Sequence, residues 1–139
     1  MEEESPLYIT GAAIKSLTSK LDLPALDPFR QDWELEITDS SRVLEFIMFY
    51  EKQVLNENER FALMALIIAS YDDYLSGGNV PDLVWTKIRY FLLKHFAIHK
   101  NKIIYWALEE ENDIENCFAI TPLMREVLEQ VNAQRSNNK

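Results

Sequence analysis

The sequence is poor in the residues that cross-link or interrupt a chain: it has one cysteine, three glycines and five prolines in 139 residues. A single cysteine excludes an internal disulfide, and we expect Cys117 to be a small buried residue rather than a reactive thiol. The scarcity of glycine and proline favours long helices over an architecture of many tight turns. A chain of this length buries enough surface to fold as one domain without a disulfide or a metal.

Long apolar runs and targeting signals are missing as well. The longest uncharged apolar run, residues 61–71, is about half the ~20 residues that span a bilayer. The N-terminus is acidic, whereas a secretory signal starts with basic residues and continues into an apolar run. We therefore predict a soluble, cytoplasmic protein that does not enter a membrane.

The motifs of the common catalytic and cofactor sites are absent too. The sequence contains no glycine-rich phosphate loop, no GxSxG, no HExxH, no CxxC and no EF-hand pattern. With only two histidines, acid–base catalysis would depend on carboxylates that the sequence alone cannot pair. We therefore predict that the protein is not an enzyme and that it binds no cofactor and no metal.

Charge is abundant but unevenly distributed, and the formal net charge is −9 at pH 7. Residues 27–82 contain twelve acidic and four basic residues, a net charge of −8, and residues 107–116 contain five acids and no base. Between these stretches, residues 83–106 carry five bases and no acid. The acidic excess disfavours binding to DNA, RNA or an anionic membrane, and it favours a basic protein as partner.

Apolar spacing predicts a mainly α-helical fold, a single compact domain of about five helices that covers residues 1–139, with frayed ends at 1–5 and 135–139. The clearest helix start is Asn56, because Glu59 three residues later completes a capping-box pattern. The helix that follows, residues 57–75, is apolar nearly all round, which is typical of a central helix covered on several sides.

The other helices are predicted from caps and from apolar residues spaced three and four apart. Thr10 is expected to cap the first helix, and Thr121 with Pro122 to open the last. Val54 is expected on the buried face of the second helix, and Pro81 at the first position of the fourth. The predicted ranges are residues 10–21, 40–54, 81–96 and 121–131.

A small β patch of two or three strands is expected beside the helices. Residues 33–37 alternate apolar and acidic side chains, and this period of two indicates a strand with one buried face. Residues 103–108 are mainly β-branched or aromatic, and a helix there would place lysines at its positive end and three glutamates at its negative end. Both features favour a strand over the alternative, a buried helical turn. Residues 117–120 form the third candidate strand.

His95 and His99 have the spacing that places two imidazoles on one helix face, as in some zinc sites. The flanking Lys94 and Lys100 disfavour a second cation nearby, and the glutamate of the metalloprotease helix is missing. We therefore expect two half-exposed histidines at the end of an element and no metal site.

The strongest candidate for a partner-binding surface is the run of Tyr71, Asp72, Asp73 and Tyr74 near the end of the central helix. Its carboxylates could meet Lys or Arg of a partner, and its tyrosines would add contact area at low entropic cost. Adjacent aspartates on a helix point about 100° apart, so they are poorly placed to share one metal ion. The alternative is that both aspartates pair with Lys or Arg of the fourth helix within the same molecule.

In size, net charge, helical content and acid–tyrosine stretches, the chain resembles the small acidic immunity proteins with which bacteria neutralise basic toxins. The resemblance covers these general features and no aligned residues, so no functional residue follows from it. It implies a non-catalytic protein that binds and inhibits a basic partner. Two other functions stay open: a self-assembling homodimer in which the basic stretch docks on an acidic face, and a small enzyme or metal protein that uses carboxylates.

Overall fold

The computed structural model describes residues 7–25 and 32–137, and it is mainly helical. No residue in these two ranges lies in a β-strand. They form seven α-helices rather than the five expected, because two of the predicted strands are helical. The helices are α1 (Gly11–Leu21), α2 (Trp33–Glu36), α3 (Val43–Lys52), α4 (Glu57–Ser76), α5 (Leu83–Lys94), α6 (Phe96–Ala107) and α7 (Thr121–Asn137). The predicted frayed end at residues 1–5 and the last two residues of the chain lie outside the described ranges.

Helix α4 is the centre of the fold, as the sequence predicts. Every residue from Phe61 to Tyr71 is buried, and α1, α2, α3 and α6 all contact α4. The predicted capping box is present: the side chain of Asn56 accepts from the Glu59 N–H at 2.8 Å, and the Glu59 carboxylate accepts from the Asn56 N–H at 3.1 Å. Two N–H groups that the helix itself leaves unpaired are thereby satisfied.

Helix α1 also begins where the sequence predicts. The hydroxyl oxygen of Thr10 accepts a hydrogen bond from the N–H of Ala13 at 3.1 Å. The helix ends where Asp22 takes up a left-handed backbone conformation with a φ of 52°. Its buried side chains, Ile14 and Leu17 among them, face α4.

Helix α3 is shorter than predicted. A 3-10 turn at Ser40–Arg42, started by a hydrogen bond from the Ser41 N–H to the Asp39 carboxylate, leads into it. The helix ends at Lys52, and the next residue has an extended backbone. Val54 therefore does not lie on the buried face of α3 but is 95% exposed.

The start of α5 differs from the prediction by two residues. Pro81 precedes the helix, and Asp82 occupies the cap position, where its carboxylate accepts from the Val84 N–H at 3.1 Å. An aspartate side chain satisfies a free helix N–H, which proline cannot do. The helix ends at Lys94, one to two residues before the predicted end.

Residues 33–37 are not a strand. They form the single turn of α2 and its C-cap, in which Trp33 and Ile37 lie four residues apart and are both buried. A strand with the same buried face would also bury Leu35, which is 48% exposed. The apolar period is therefore four, and the alternation with glutamates is coincidental. Glu34 is buried because it meets Lys102 of α6, with 3.1 Å between Oε2 and Nζ.

Residues 103–108 are not a strand either, because residues 103–107 form the end of α6 and Leu108 is its C-cap. Ile103, Trp106 and Ala107 are buried while Ile104 and Tyr105 are exposed, which is helical spacing. The helix begins at Phe96, so the lysines lie in its interior and not at its positive end. The glutamates that follow its C-terminus are unfavourable for the helix, and a positive charge on another helix offsets them.

That compensating charge is Arg125 of α7. Its guanidinium donates to the backbone carbonyls of Ala107, Leu108 and Glu111 at 2.7, 2.5 and 2.8 Å. A cation close to the last carbonyls of a helix stabilises its negative end. Arg125 therefore stabilises the end of α6 despite the glutamates that follow it, and these glutamates were one reason for predicting a strand in this segment.

The third predicted strand, residues 117–120, is an irregular connection from a 3-10 turn at Ile114–Asn116 to α7. The N–H of Ile120 donates to the carboxylate of Asp72 and not to a neighbouring strand. The hydroxyl of Thr121, predicted to cap α7, instead donates to the carbonyl of Trp106 at 2.7 Å and so ties α7 to α6. Cys117, expected to be buried, is partly exposed.

Candidate functional site

The four predicted contact residues lie near the C-terminal end of α4, but they have different surroundings. Tyr71 is 1% exposed and belongs to the core, whereas Tyr74 is half-buried and Asp73 is exposed. Tyr71 stacks on Tyr74 with ring centroids 5.4 Å apart, and it stacks on Trp85 of α5 at 5.9 Å. The two tyrosines thus form one layered aromatic unit rather than two separate exposed rings.

Asp72 holds the connection before α7. Its carboxylate accepts a hydrogen bond from the Ile120 N–H at 2.9 Å. Burial raises the pKa of Asp72 above its ordinary value, and the N–H groups of Ile120 and Ala119 act in the opposite direction by stabilising the charged form. The partner of Asp72 within the molecule is therefore backbone N–H, not the Lys or Arg side chain of the fourth helix that the sequence suggests.

Both tyrosine hydroxyls meet the carboxylate of Asp82, the residue that caps α5. Tyr71 donates to Oδ1 at 3.0 Å, and Tyr74 donates to Oδ2 at 3.1 Å. The Asp82 N–H donates back to the Tyr71 hydroxyl at 3.2 Å. Burial raises the pKa of Tyr71 to about 12, so its hydroxyl stays protonated and keeps donating at neutral pH.

Beside this arrangement lies an open groove of about 320 Å³. This volume is at the lower end of the range of ligand-binding pockets. The described residues that line the groove are Ser40, Ser41, Val43, Leu44, Tyr71, Tyr74, Asp82 and Val84. Among these eight, Asp82 carries the one carboxylate, and none is basic. The described wall of the groove therefore combines apolar side chains, hydroxyl groups and one negative charge.

The groove continues onto exposed apolar side chains. Leu44 on α3, which lines the groove, is 54% exposed, and Leu83 on α5, which lies between the lining residues Asp82 and Val84 in the sequence, is 83% exposed. Exposed leucines beside a carboxylate and two tyrosines resemble the mixture of apolar and polar groups found at protein-binding surfaces. The sequence pointed to Tyr71 and Tyr74, but Asp82 and Leu44 were missed. The capping preference of aspartate before an apolar helix was the available signal for Asp82, and no local signal existed for Leu44.

A second polar constellation lies inside the molecule, where Tyr50 of α3 meets both histidines. Its hydroxyl is 2.8 Å from Nδ1 of His95 and 2.8 Å from Nε2 of His99. His99 is 0% exposed, so the expectation of two half-exposed histidines is wrong for this residue. The error follows from the predicted strand, which would have ended the helix before His99.

The protonation of this cluster is constrained by its geometry. Burial, followed by the charges of His95 and Arg60, lowers the pKa of His99 to about 3, and burial likewise lowers the pKa of His95. Burial also raises the pKa of Tyr50. A neutral hydroxyl has one proton, so one imidazole must accept from Tyr50 while the other donates to it. The Tyr50 hydroxyl thus pairs with both imidazoles, whereas Nδ1 of His99 is buried without a hydrogen-bond partner among the described residues.

Two further properties bear on the kind of site this chain can hold. Within the part of the chain that the structure describes, no cluster of three or more His, Cys, Asp or Glu side chains could hold a metal ion. None of the helices in the same ranges has the length and apolar character needed to cross a bilayer.

No known protein family, curated protein or solved structure matches the chain. The groove beside Asp82 therefore has to be interpreted from its own geometry.

Proposed function

We propose that this protein is a non-catalytic binding protein whose groove beside Asp82 receives a basic partner protein, in the manner of an inhibitor or immunity-type factor. The observation that carries the proposal is the composition of the groove. An anionic carboxylate, two tyrosines and an exposed leucine surround a cavity of about 320 Å³, and no base lies among its described lining residues.

Apolar contacts would supply the affinity. Leu44 and Leu83 expose much of their side chains, and Val84 is half-buried in the groove wall. Covering exposed leucines removes apolar surface from water, which stabilises an interface by about 25 cal/mol per Å² before the costs of association. These side chains lie on the rigid helices α3 and α5, so little order has to be gained on binding.

Charge would supply steering and the preference for a basic partner. Residues 27–82, which contribute three of the structural elements around the groove, have a net charge of −8. A field of one sign over a surface raises the association rate of an oppositely charged partner and weakens as salt is added. We therefore expect the affinity for the partner to be highest at low salt and to fall as salt is added.

The four residues predicted from the sequence take separate roles in this proposal. Asp73 and Tyr74 are accessible and would contact the partner. Tyr71 would act by holding Asp82 in place, and Asp72 by holding the connection to α7. The contact set of the proposed interface is completed by Asp82 and Leu44.

The test places a cation in the groove without altering the core. Leu44→Lys changes an exposed position on α3 to a good helix former with a positive charge. Asn132→Lys makes the same change in charge at an exposed position on α7, a helix that does not line the groove. Wild type and both variants serve as immobilised bait for a lysate of the source organism, and retained proteins are identified by mass spectrometry and purified for calorimetric titration.

We expect to retain a basic protein that binds wild type and the Asn132→Lys variant with similar affinity and the Leu44→Lys variant at least about tenfold more weakly. A partner that binds all three proteins equally would place the interface elsewhere and overturn the assignment to the groove. Retention of this chain alone, together with a dimeric mass in solution, would instead support self-assembly.

A further inference from the structure

The geometry points to selectivity within the groove: it takes a lysine side chain of the partner in preference to an arginine. This inference rests on the proposed function, since it names the chemistry of the basic group that the groove receives. It follows from the hydrogen bonds that already occupy the carboxylate of Asp82.

The Asp82 carboxylate has room for one more donor. Oδ1 accepts from the Tyr71 hydroxyl at 3.0 Å and from the Val84 N–H at 3.1 Å, while Oδ2 accepts from the Tyr74 hydroxyl at 3.1 Å. An ionised carboxylate offers about four lone-pair positions, two on each oxygen. Donors from the described ranges, residues 7–25 and 32–137, therefore fill both positions on Oδ1 and leave one position on Oδ2 free.

The two donors on Oδ1 are held firmly and do not give way to a ligand. The Val84 N–H belongs to the first turn of α5, which Asp82 caps. The Tyr71 ring is buried between Tyr74 and Trp85, and its hydroxyl also accepts from the Asp82 N–H at 3.2 Å. Displacing either donor would leave a polar group without a partner next to the core, which is costly.

Arginine and lysine differ in how they use a carboxylate. Arginine gains its advantage from two parallel N–H···O bonds, one to each carboxylate oxygen. With Oδ1 filled, its planar fork can place a single bond on Oδ2. The ammonium group of lysine needs only one acceptor in any direction, so it loses nothing at this site.

The remainder of the groove suits the lysine stem. Leu44 and Val84 line it, and a four-carbon chain can lie along apolar surface while its charged end reaches a polar group.

Three capped tripeptides test the inference: acetyl-Leu-Lys-Leu-amide, acetyl-Leu-Arg-Leu-amide and acetyl-Leu-norleucine-Leu-amide. Each is titrated into the isotope-labelled full chain, and amide shifts of residues 41–44 and 82–85 are followed by NMR. We expect the lysine peptide to bind at least about threefold more tightly than the arginine peptide, and the norleucine peptide to bind most weakly.

Two variants establish which group is responsible. Asp82→Asn removes the charge but keeps an efficient helix cap, and it is expected to abolish the preference for lysine over norleucine. Glu129→Gln, at an exposed position on α7, changes the net charge equally and is expected to leave that preference intact.

Equal or tighter binding of the arginine peptide overturns the selectivity, and so does the absence of lysine-peptide binding at millimolar concentration. Neither result decides the proposed function, which depends on the partner retained by wild type and lost from the Leu44→Lys variant. Conversely, a partner that ignores the Leu44→Lys substitution overturns the proposed function whatever the tripeptides do.

Discussion

Lowering the pH from 7.5 to 5 is expected to remove about 2 kcal/mol from the free energy of unfolding through His99 alone. In the folded protein, burial holds the pKa of His99 at about 3, whereas an unfolded histidine has a pKa of about 6.5. Between these values the unfolded chain binds a proton that the folded chain does not. The stabilisation is therefore fully present above pH 6.5 and is lost progressively as the pH falls towards 3.

The groups around His99 determine how cleanly this loss can be assigned. Tyr50, His95 and Arg60 are the titratable or charged groups that influence it, and the charge of Arg60, joined by that of His95 when His95 is protonated, disfavours a positive charge on His99. The pKa of each of the carboxylates of Glu45 and Glu59 is lowered by its hydrogen bonds, so these groups also lose stabilisation in acid. Their contribution is common to wild type and to any variant at position 99, so the difference between two proteins reports on His99 together with its electrostatic interaction with His95.

The measurement is urea unfolding followed by tryptophan fluorescence at half-unit steps from pH 5 to pH 7.5. His99→Gln retains a side chain that can hydrogen-bond Tyr50 but cannot be protonated in this range. We expect wild type to lose about 2 kcal/mol more than this variant over the interval. Parallel curves for the two proteins would refute the reasoning, because they would mean that His99 is already protonated or exposed in the folded state.

Tyr50→Phe tests whether burial or hydrogen bonding to the Tyr50 hydroxyl lowers the pKa of His99. It removes the hydroxyl that meets both imidazoles but leaves His99 buried. Since burial is the first cause of the lowered pKa, this variant is expected to be less stable at every pH and yet to keep the pH dependence of wild type. A variant that loses the pH dependence would assign the effect to the hydroxyl.

Four further substitutions at three places test the fold. Arg125→Lys cannot reproduce the hydrogen bonds to the carbonyls after α6 and is expected to lower the free energy of unfolding by about 1–3 kcal/mol, with faster amide exchange at residues 108–111 than in a Glu129→Gln control. Asn56→Ala removes the cap of α4 and is expected to cost about 1 kcal/mol by urea unfolding; a cost near zero would contradict the capping box. Ile37→Ala is expected to cost about 2–5 kcal/mol and Leu35→Ala less than about 1 kcal/mol, whereas equal costs would favour a period of two over the helical turn.

The sequence was most informative where a helix carries its own start signal. Thr10 and Asn56 cap helices through atoms three residues away, so the relevant groups appear together in the sequence. Glu34 shows the opposite case, since its partner Lys102 is 68 residues distant. The alternation that suggested a strand at residues 33–37 could not reveal that this glutamate is buried in an ion pair.

The candidate site was predictable in part for the same reason. Tyr71 and Tyr74 stood out in one short run of sequence, and the structure brings them together on one carboxylate. Asp82 reaches them only because the chain reverses after α4, where Gly78 has a φ of 94°, a conformation that favours glycine. The path of such a reversal is set by tertiary packing, so residue patterns did not place Asp82 beside the tyrosines.

The attachment of Arg125 to the end of α6 has a consequence for the order in which the chain matures on the ribosome. Synthesis proceeds from the N-terminus, so α6 emerges before the guanidinium that meets the carbonyls at its end. That guanidinium belongs to α7, 18 residues after Ala107. A nascent chain that ends before Arg125 therefore lacks these hydrogen bonds, and the end of α6 gains its cation only once α7 has been synthesised.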